Sequence, residues 1–106
     1  MAILGDLEQA VMDALWQRST PTSVRDVHDE LQASRPIAYT TVMTVLDRLS
    51  KKGIVVRQLD GRAWLYEPAR SRVELHAEAI EEILADLDPD ARRAVWDRVR
   101  PEVRSK

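Results

Sequence analysis

The residues whose types and spacing most suggest chemistry are three threonines, Thr40, Thr41 and Thr44, followed one helical turn or two later by Lys51 and Lys52. That chemistry is recognition. A threonine hydroxyl donates to or accepts from a base edge or a phosphate, and its methyl group can touch a thymine methyl. Lysine and arginine hold phosphates electrostatically, which makes Lys51, Lys52, Arg57 and Arg62 suited to a nucleic-acid backbone. Catalytic chemistry has far less to draw on. The sequence contains no Cys, so disulfides, thiolate metal sites and cysteine nucleophiles are excluded together. His28 and His76 are its only histidines; both lie beside apolar stripes, without a paired nucleophile or ligand spacing, and read as packing or surface residues. No catalytic residue, metal site or cofactor is expected.

Composition bounds the reading further. The chain has 106 residues, the size of one ordinary domain, with a net charge of −2. A uniformly basic coat is therefore excluded, but the charge is unevenly placed. Residues 34–72 carry Arg35, Arg48, Lys51, Lys52, Arg57, Arg62, Arg70 and Arg72 against Asp47, Asp60 and Glu67, whereas both flanks are acidic. Counterion release depends on local charge, so a basic middle suggests a localised polyanion-binding face; chance clustering on a solvated surface is the plainer alternative. No apolar run approaches the ~18 residues of a membrane helix. The start, Met1-Ala2-Ile3-Leu4-Gly5-Asp6, turns acidic at once and lacks a basic region before an apolar one, unlike a signal peptide. A soluble, cytoplasmic chain is expected.

The elements that must position these groups follow from periodicity. Leu4, Leu7, Val11, Ala14 and Leu15 share one helical stripe, widened by Met12 and Trp16, which predicts a first helix over about 6–18 that packs on two sides. Gly5 or Asp6 would cap it, with Glu8 or Gln9 reaching back. Thr22 or Ser23 caps a short second helix to about Ala33, buried through Val24, Val27 and Leu31. The third helix spans about 38–52 and ends on Gly53 in a left-handed cap. Its apolar face is Val42, Val45, Leu46 and Leu49; the opposite face holds Thr40, Thr44, Asp47, Arg48 and Lys51, with Thr41 and Met43 at the edges. Two β-prone runs, 54–59 and 62–66, flank Asp60-Gly61, the signature of a two-residue hairpin turn with positive φ at both positions. Trp64 and Tyr66 are expected to close the core. A fourth helix opens with the capping box Ser71-Arg72-Val73-Glu74, and Val73, Ala77, Ile80, Leu84 and Leu87 form its stripe. Asp88-Pro89 opens a fifth, with Val95 and Val99 leading its apolar face, Trp96 and Val103 beside them, and Pro101 ending it.

Helix, short helix, longer helix and a basic hairpin are the order of a winged helix-turn-helix. The fold class is thus mainly α with a small β-hairpin, followed by C-terminal helices. In such a module the third helix enters the major groove and the hairpin lies along the adjacent backbone. Ser23, at the start of the second helix, can offer a hydroxyl and a backbone N–H to phosphate, or simply cap. Double-stranded DNA is the favoured partner; a winged-helix module that binds or heterodimerises with another regulator is the alternative, separable by the salt dependence of duplex binding.

The same residues carry a family pattern. Leu7-Glu8-Gln9-Ala10-Val11-Met12-Asp13-Ala14-Leu15-Trp16 resembles the first helix of the penicillinase-repressor family, and Ser23-Val24-Arg25-Asp26-Val27-His28 its second. The run from Ala38 to Gly53 resembles its recognition helix, and Tyr66-Glu67-Pro68 the end of its hairpin. The resemblance covers about residues 4–70. It implies a bacterial transcriptional repressor acting as a homodimer on an inverted-repeat operator. It implies base reading by Tyr39, Thr40, Thr41, Met43 and Thr44, and phosphate contacts from Lys51, Lys52, Arg62 and Arg57. It also implies two parts, a DNA-binding domain over 1–70 and a dimerisation region over 71–106. Val73, Ile80, Leu84, Leu87, Val95, Trp96 and Val99 are the interface candidates, unless they pack back on the first helix. The sequence departs from the family in containing no Asn or Phe for the Asn-Phe cleavage of its β-lactam-responsive members, and no Cys for its copper-responsive branch. The C-terminal region also reads as short for the family. The inducing signal is thus left open. Glu74, Glu78, Glu81 and Glu82 set against Arg92, Arg93, Arg98 and Arg100 suggest ion pairs between the last two helices.

Overall fold

A computed structural model describes residues 4–100; Met1–Ile3, Pro101 and Val103 lie outside the described residues. The order is α1 (Asp6–Trp16), β1 (Thr22–Ser23), α2 (Val24–Gln32), α3 (Tyr39–Lys51), β2 (Val55–Asp60), β3 (Ala63–Pro68), α4 (Arg72–Ala85) and α5 (Pro89–Val99). Helices α1, α2 and α3 pack on one another and on the sheet through Val11, Met12, Leu15, Val27, Leu31, Val42, Val45, Leu46 and Leu49, with Val55 and Tyr66 from the strands. Met12 is buried as fully as Val11, which is why the first helix needs so wide an apolar face: it is covered on two sides.

The local signals act as their chemistry dictates. The Glu8 carboxylate accepts from the Gly5 N–H at 3.1 Å, and the Ser23 hydroxyl accepts from Asp26 N–H at 3.1 Å. At the end of α3, Gly53 takes φ +77°. Its N–H donates to Ser50 O and that of Ile54 to Leu49 O, both at 3.0 Å, the paired bonds of a Schellman motif.

Two departures concern the hairpin. The strands run one residue later than expected: Asp60 pairs with Ala63, so the turn is Gly61-Arg62 rather than Asp60-Gly61. Only Gly61 has positive φ, +63°, the pattern of a turn with glycine at its first central position. Arg62 therefore sits at the tip of the hairpin instead of opening its second strand. The sheet is also three-stranded, in the order β1-β3-β2, because Thr22 and Ser23 pair with Tyr66 and Leu65. Two residues ahead of a helix carry no β periodicity, so this strand is invisible until the hairpin is there to pair with it.

The last two helices form where expected, but α4 is anchored through a second, smaller apolar side. Helix α4 is capped as read, Ser71 accepting from Glu74 N–H and Glu74 from Ser71 N–H. The residues it buries, however, are Leu75 and Ala79, on the face opposite the stripe of Val73, Ala77, Ile80 and Leu84. Val73 is 77% exposed, and Ile80, Val95, Trp96 and Val99 are exposed as well. The stripe does not pack back on α1. A few contacts join the arm formed by α4 and α5 to the body formed by α1, α2, α3 and the sheet. Trp16 Nε1 donates to Arg70 O at 3.0 Å, Arg70 donates to Glu78 at 2.7 Å and to Gly53 O at 3.1 Å, and the rings of Trp16 and His76 lie 6.1 Å apart. Arg92 donates to the Leu84 and Leu87 carbonyls and so closes the end of α4, while Glu74 caps and Glu78 pairs with Arg70. Glu74, Glu78 and Arg92, three of the expected α4–α5 ion-pairing groups, are thus used elsewhere.

Candidate nucleic-acid interface

Burying Val42, Val45, Leu46 and Leu49 fixes the rotation of α3 and turns its opposite face outward. Tyr39, Thr40, Met43 and Thr44 are exposed on that face, and Thr41 is half-buried at its edge. The hairpin stands beside it. Between them runs an open groove of about 870 Å³, lined by Ser23, Arg25, Tyr39, Met43, Thr44, Asp47, Arg57, Arg62 and Trp64 among others. Its walls are set by elementary rules. Arg57 pairs with Tyr66 and Leu59 with Trp64 across the ladder, so Arg57, Leu59, Trp64 and Tyr66 share one face of the hairpin.

Within this groove the expected site residues separate. Tyr39 is held by the second helix: His28 Nε2 donates to Ile37 O at 2.8 Å, and its ring meets that of Tyr39 edge-on at 5.6 Å. Thr44 donates its hydroxyl proton to Thr40 O at 2.9 Å, one turn back. Its oxygen lone pairs and methyl group are left for an outside partner. Lys51, 78% exposed, pairs with Asp47 at 3.0 Å. Arg57 approaches the same carboxylate at 3.8 Å and stacks 4.3 Å above the Trp64 ring. Arg62 projects at the hairpin tip with no ion pair among the described residues.

Lys52 points elsewhere. Its ammonium lies 2.8 Å from the Glu8 carboxylate on α1, which is almost buried. Burial pushes the Glu8 carboxyl up. The Lys52 hydrogen bond, the Gly5 N–H and the charges of Lys52 and Arg48 outweigh it and hold the group below the usual glutamate range. Lys52 is thereby tied to the body rather than to the groove. Arg35 is tied in the same way, to Asp6 at 3.0 Å.

Sequence reasoning passed over three groove residues. Arg25 sits two residues after Ser23, at the start of α2, and faces the same space. Trp64 is 41% exposed and forms the groove wall, whereas Tyr66 does close the core. Alternation could not carry this signal, since Trp64 and Tyr66 share one face of the strand; Trp64 lies two residues nearer the hairpin tip. Asp47 was legible as an outward residue of α3, but its position between two cations was not.

A helical triad whose third member is exposed beside a two-stranded wing defines a winged helix-turn-helix protein. The family model for penicillinase repressors matches residues 4–98. Over 90 residues the chain is 51% identical to the transcriptional regulator BlaI of Mycobacterium tuberculosis, covering 85% of this chain and 65% of that protein. The chain belongs to the penicillinase repressor family, and it spans 65% of the length of the curated relatives it matches. The solution structure of the DNA binding domain of the repressor BlaI is similar at TM-score 0.60 and 30% identity, over 65% of this chain and 83% of that one. The solution structure of Bacillus licheniformis BlaI, monomeric and in complex with the blaP half-operator, is similar at TM-score 0.58 and 29% identity, over 68% and 87%. Among the described residues no helix is long and apolar enough to cross a membrane.

Proposed function

We propose that this chain is a DNA-binding transcriptional repressor that acts in the cytoplasm as a homodimer on an inverted-repeat operator. One observation carries the reading: α3 spends its aliphatic face on the core and leaves Tyr39, Thr40, Met43 and Thr44 exposed beside a groove lined by arginines. In this reading α3 lies in the major groove, where these residues and Thr41 meet base edges. Ser23, Arg25, Lys51, Arg57 and Arg62 hold phosphates and fix the register without reading sequence. Lys52 serves the fold. Residues 1–70 form the reading unit, and residues 71–106 carry the dimer contact through Val73, Ile80, Leu84, Leu87, Val95, Trp96 and Val99. The exposed stripe of α4 and α5 supports that contact, because contiguous apolar surface left in water marks an association site. The Bacillus licheniformis relative in complex with its half-operator supports the choice of duplex DNA as partner.

Selection from a random duplex pool, followed by gel shift across a salt series, tests the reading. A selected duplex should bind far more tightly than random sequence. With the four cations of each protomer on phosphates, log K against log salt should fall with a slope of about −7 for the dimer. Failure to enrich any duplex, or a flat salt dependence, would overturn it.

A further inference from the structure

We infer that Thr44 and Asp47 form an acceptor patch that fixes the strand orientation of the base pair at the middle of α3, by requiring that the base facing the patch be the one with the exocyclic amino group, cytosine or adenine. The inference deepens the proposed DNA-binding reading and rests on it. Thr44 and Asp47 are three residues apart, neighbours on one helical face, and both line the groove. Thr44 has given its only hydroxyl proton to Thr40 O, so an incoming group meets oxygen lone pairs and a methyl. Asp47 offers carboxylate oxygens and no donor. It is also the one acid lining the groove among the described residues.

An acid there works against affinity. It faces the phosphates of any duplex that enters, and it competes with them for Lys51 and Arg57. Such a group costs non-specific binding and is repaid only where the duplex supplies a donor. Closing the groove on DNA also strips water from the carboxylate, whose lone pairs not engaged by Lys51 then need a donor. Cytosine and adenine present one in the major groove through their amino groups. Guanine O6 and N7 and thymine O4 present acceptors to an acceptor and are rejected. The patch thus discriminates by what it refuses as well as by what it binds.

The test is selection of duplexes by the wild-type chain, Asp47→Asn and Thr44→Val, with affinities then measured for the selected duplex, its single-position variants and random DNA. At one or two adjacent positions per half-site the wild type should keep cytosine or adenine on the same strand, and reversing that pair should weaken binding about tenfold. Asp47→Asn presents an amide that donates and accepts; it should reduce that preference to about twofold and bind random duplex several-fold more tightly, because a groove charge is gone. Thr44→Val keeps the shape and should relax the neighbouring position alone. Unchanged preferences in both variants, or equal wild-type affinity for a pair and its reversal at those positions, would overturn the assignment while leaving the DNA-binding reading standing. A wild-type chain that enriches no duplex would overturn both.

Discussion

Lys52→Met separates a lysine that holds the fold together from one that holds DNA. The Glu8 side chain is 10% exposed, and its nearest cation is the Lys52 ammonium at 2.8 Å, itself 42% exposed. Methionine keeps the length of the stem and removes the charge, leaving the Glu8 carboxylate with the Gly5 N–H. Removing one partner of a fully buried pair costs about 3–5 kcal/mol. Here the lost partner is nearly half in water, so screening reduces the cost to about 1–2 kcal/mol. For a domain of this size that lowers the melting temperature by on the order of 5–10 °C. The sign with pH follows from the direction of the shift. Glu8 titrates below its unfolded value, so its contribution is present above the ordinary glutamate range and is lost as pH falls through the folded value. Without Lys52 the burial of Glu8 is less opposed, and its carboxyl moves up. The gap between wild type and variant in thermal melts, widest at neutral pH, should therefore close below about pH 4. Operator affinity measured well below the melting transition should stay within about twofold, since Lys52 contributes little to a phosphate it does not face. A variant that melts with the wild type and loses affinity several-fold would refute the reasoning and make Lys52 a phosphate contact.

Two further outcomes divide the surface. Thr44→Ala should weaken binding to a selected duplex about tenfold and binding to random duplex little, whereas Arg62→Ala should weaken both alike and flatten the salt slope by about one unit per protomer; gel shifts giving one specificity ratio for both variants would remove the distinction between reader and clamp. Leu84→Glu places a charge in the apolar groove that Ala77, Ile80 and Trp96 line on the arm. Sedimentation should then shift towards monomer while the melting temperature holds within a few degrees, and an unchanged dimer mass would take α4 out of the interface.

Most of the body was legible because its signals are local and strong. The capping Ser23 and Ser71, the glycine after Lys52 and the 3.6-residue spacing of Val42, Val45, Leu46 and Leu49 each fix a boundary or a face with no help from the rest of the chain. The same spacing gave the outward set of α3. What escaped the sequence depends on a partner elsewhere. Strand β1 exists only through Tyr66 and Leu65. The turn at Gly61-Arg62 could not be told from one at Asp60-Gly61, since glycine satisfies a left-handed position in either register. The choice moves Arg62 to the tip. Charges were hardest to place. Lys51 and Lys52 are adjacent in sequence, yet about 100° of helical rotation sends one towards the groove and the other to Glu8 on α1. Helix α4 is apolar on two sides, and the five-residue stripe outshone the pair, Leu75 and Ala79, that anchors it.

That second apolar side of α4 has a bearing on dosage. If it is satisfied only when two copies meet, operator occupancy at low protein levels tracks the square of the amount of chain rather than the amount itself. A modest drop in synthesis, or a modest rise in turnover, would then empty the operator far more abruptly than it would for a solitary binder. The greasy strip along the arm would thus set how sharply the regulated promoter responds, without touching a base.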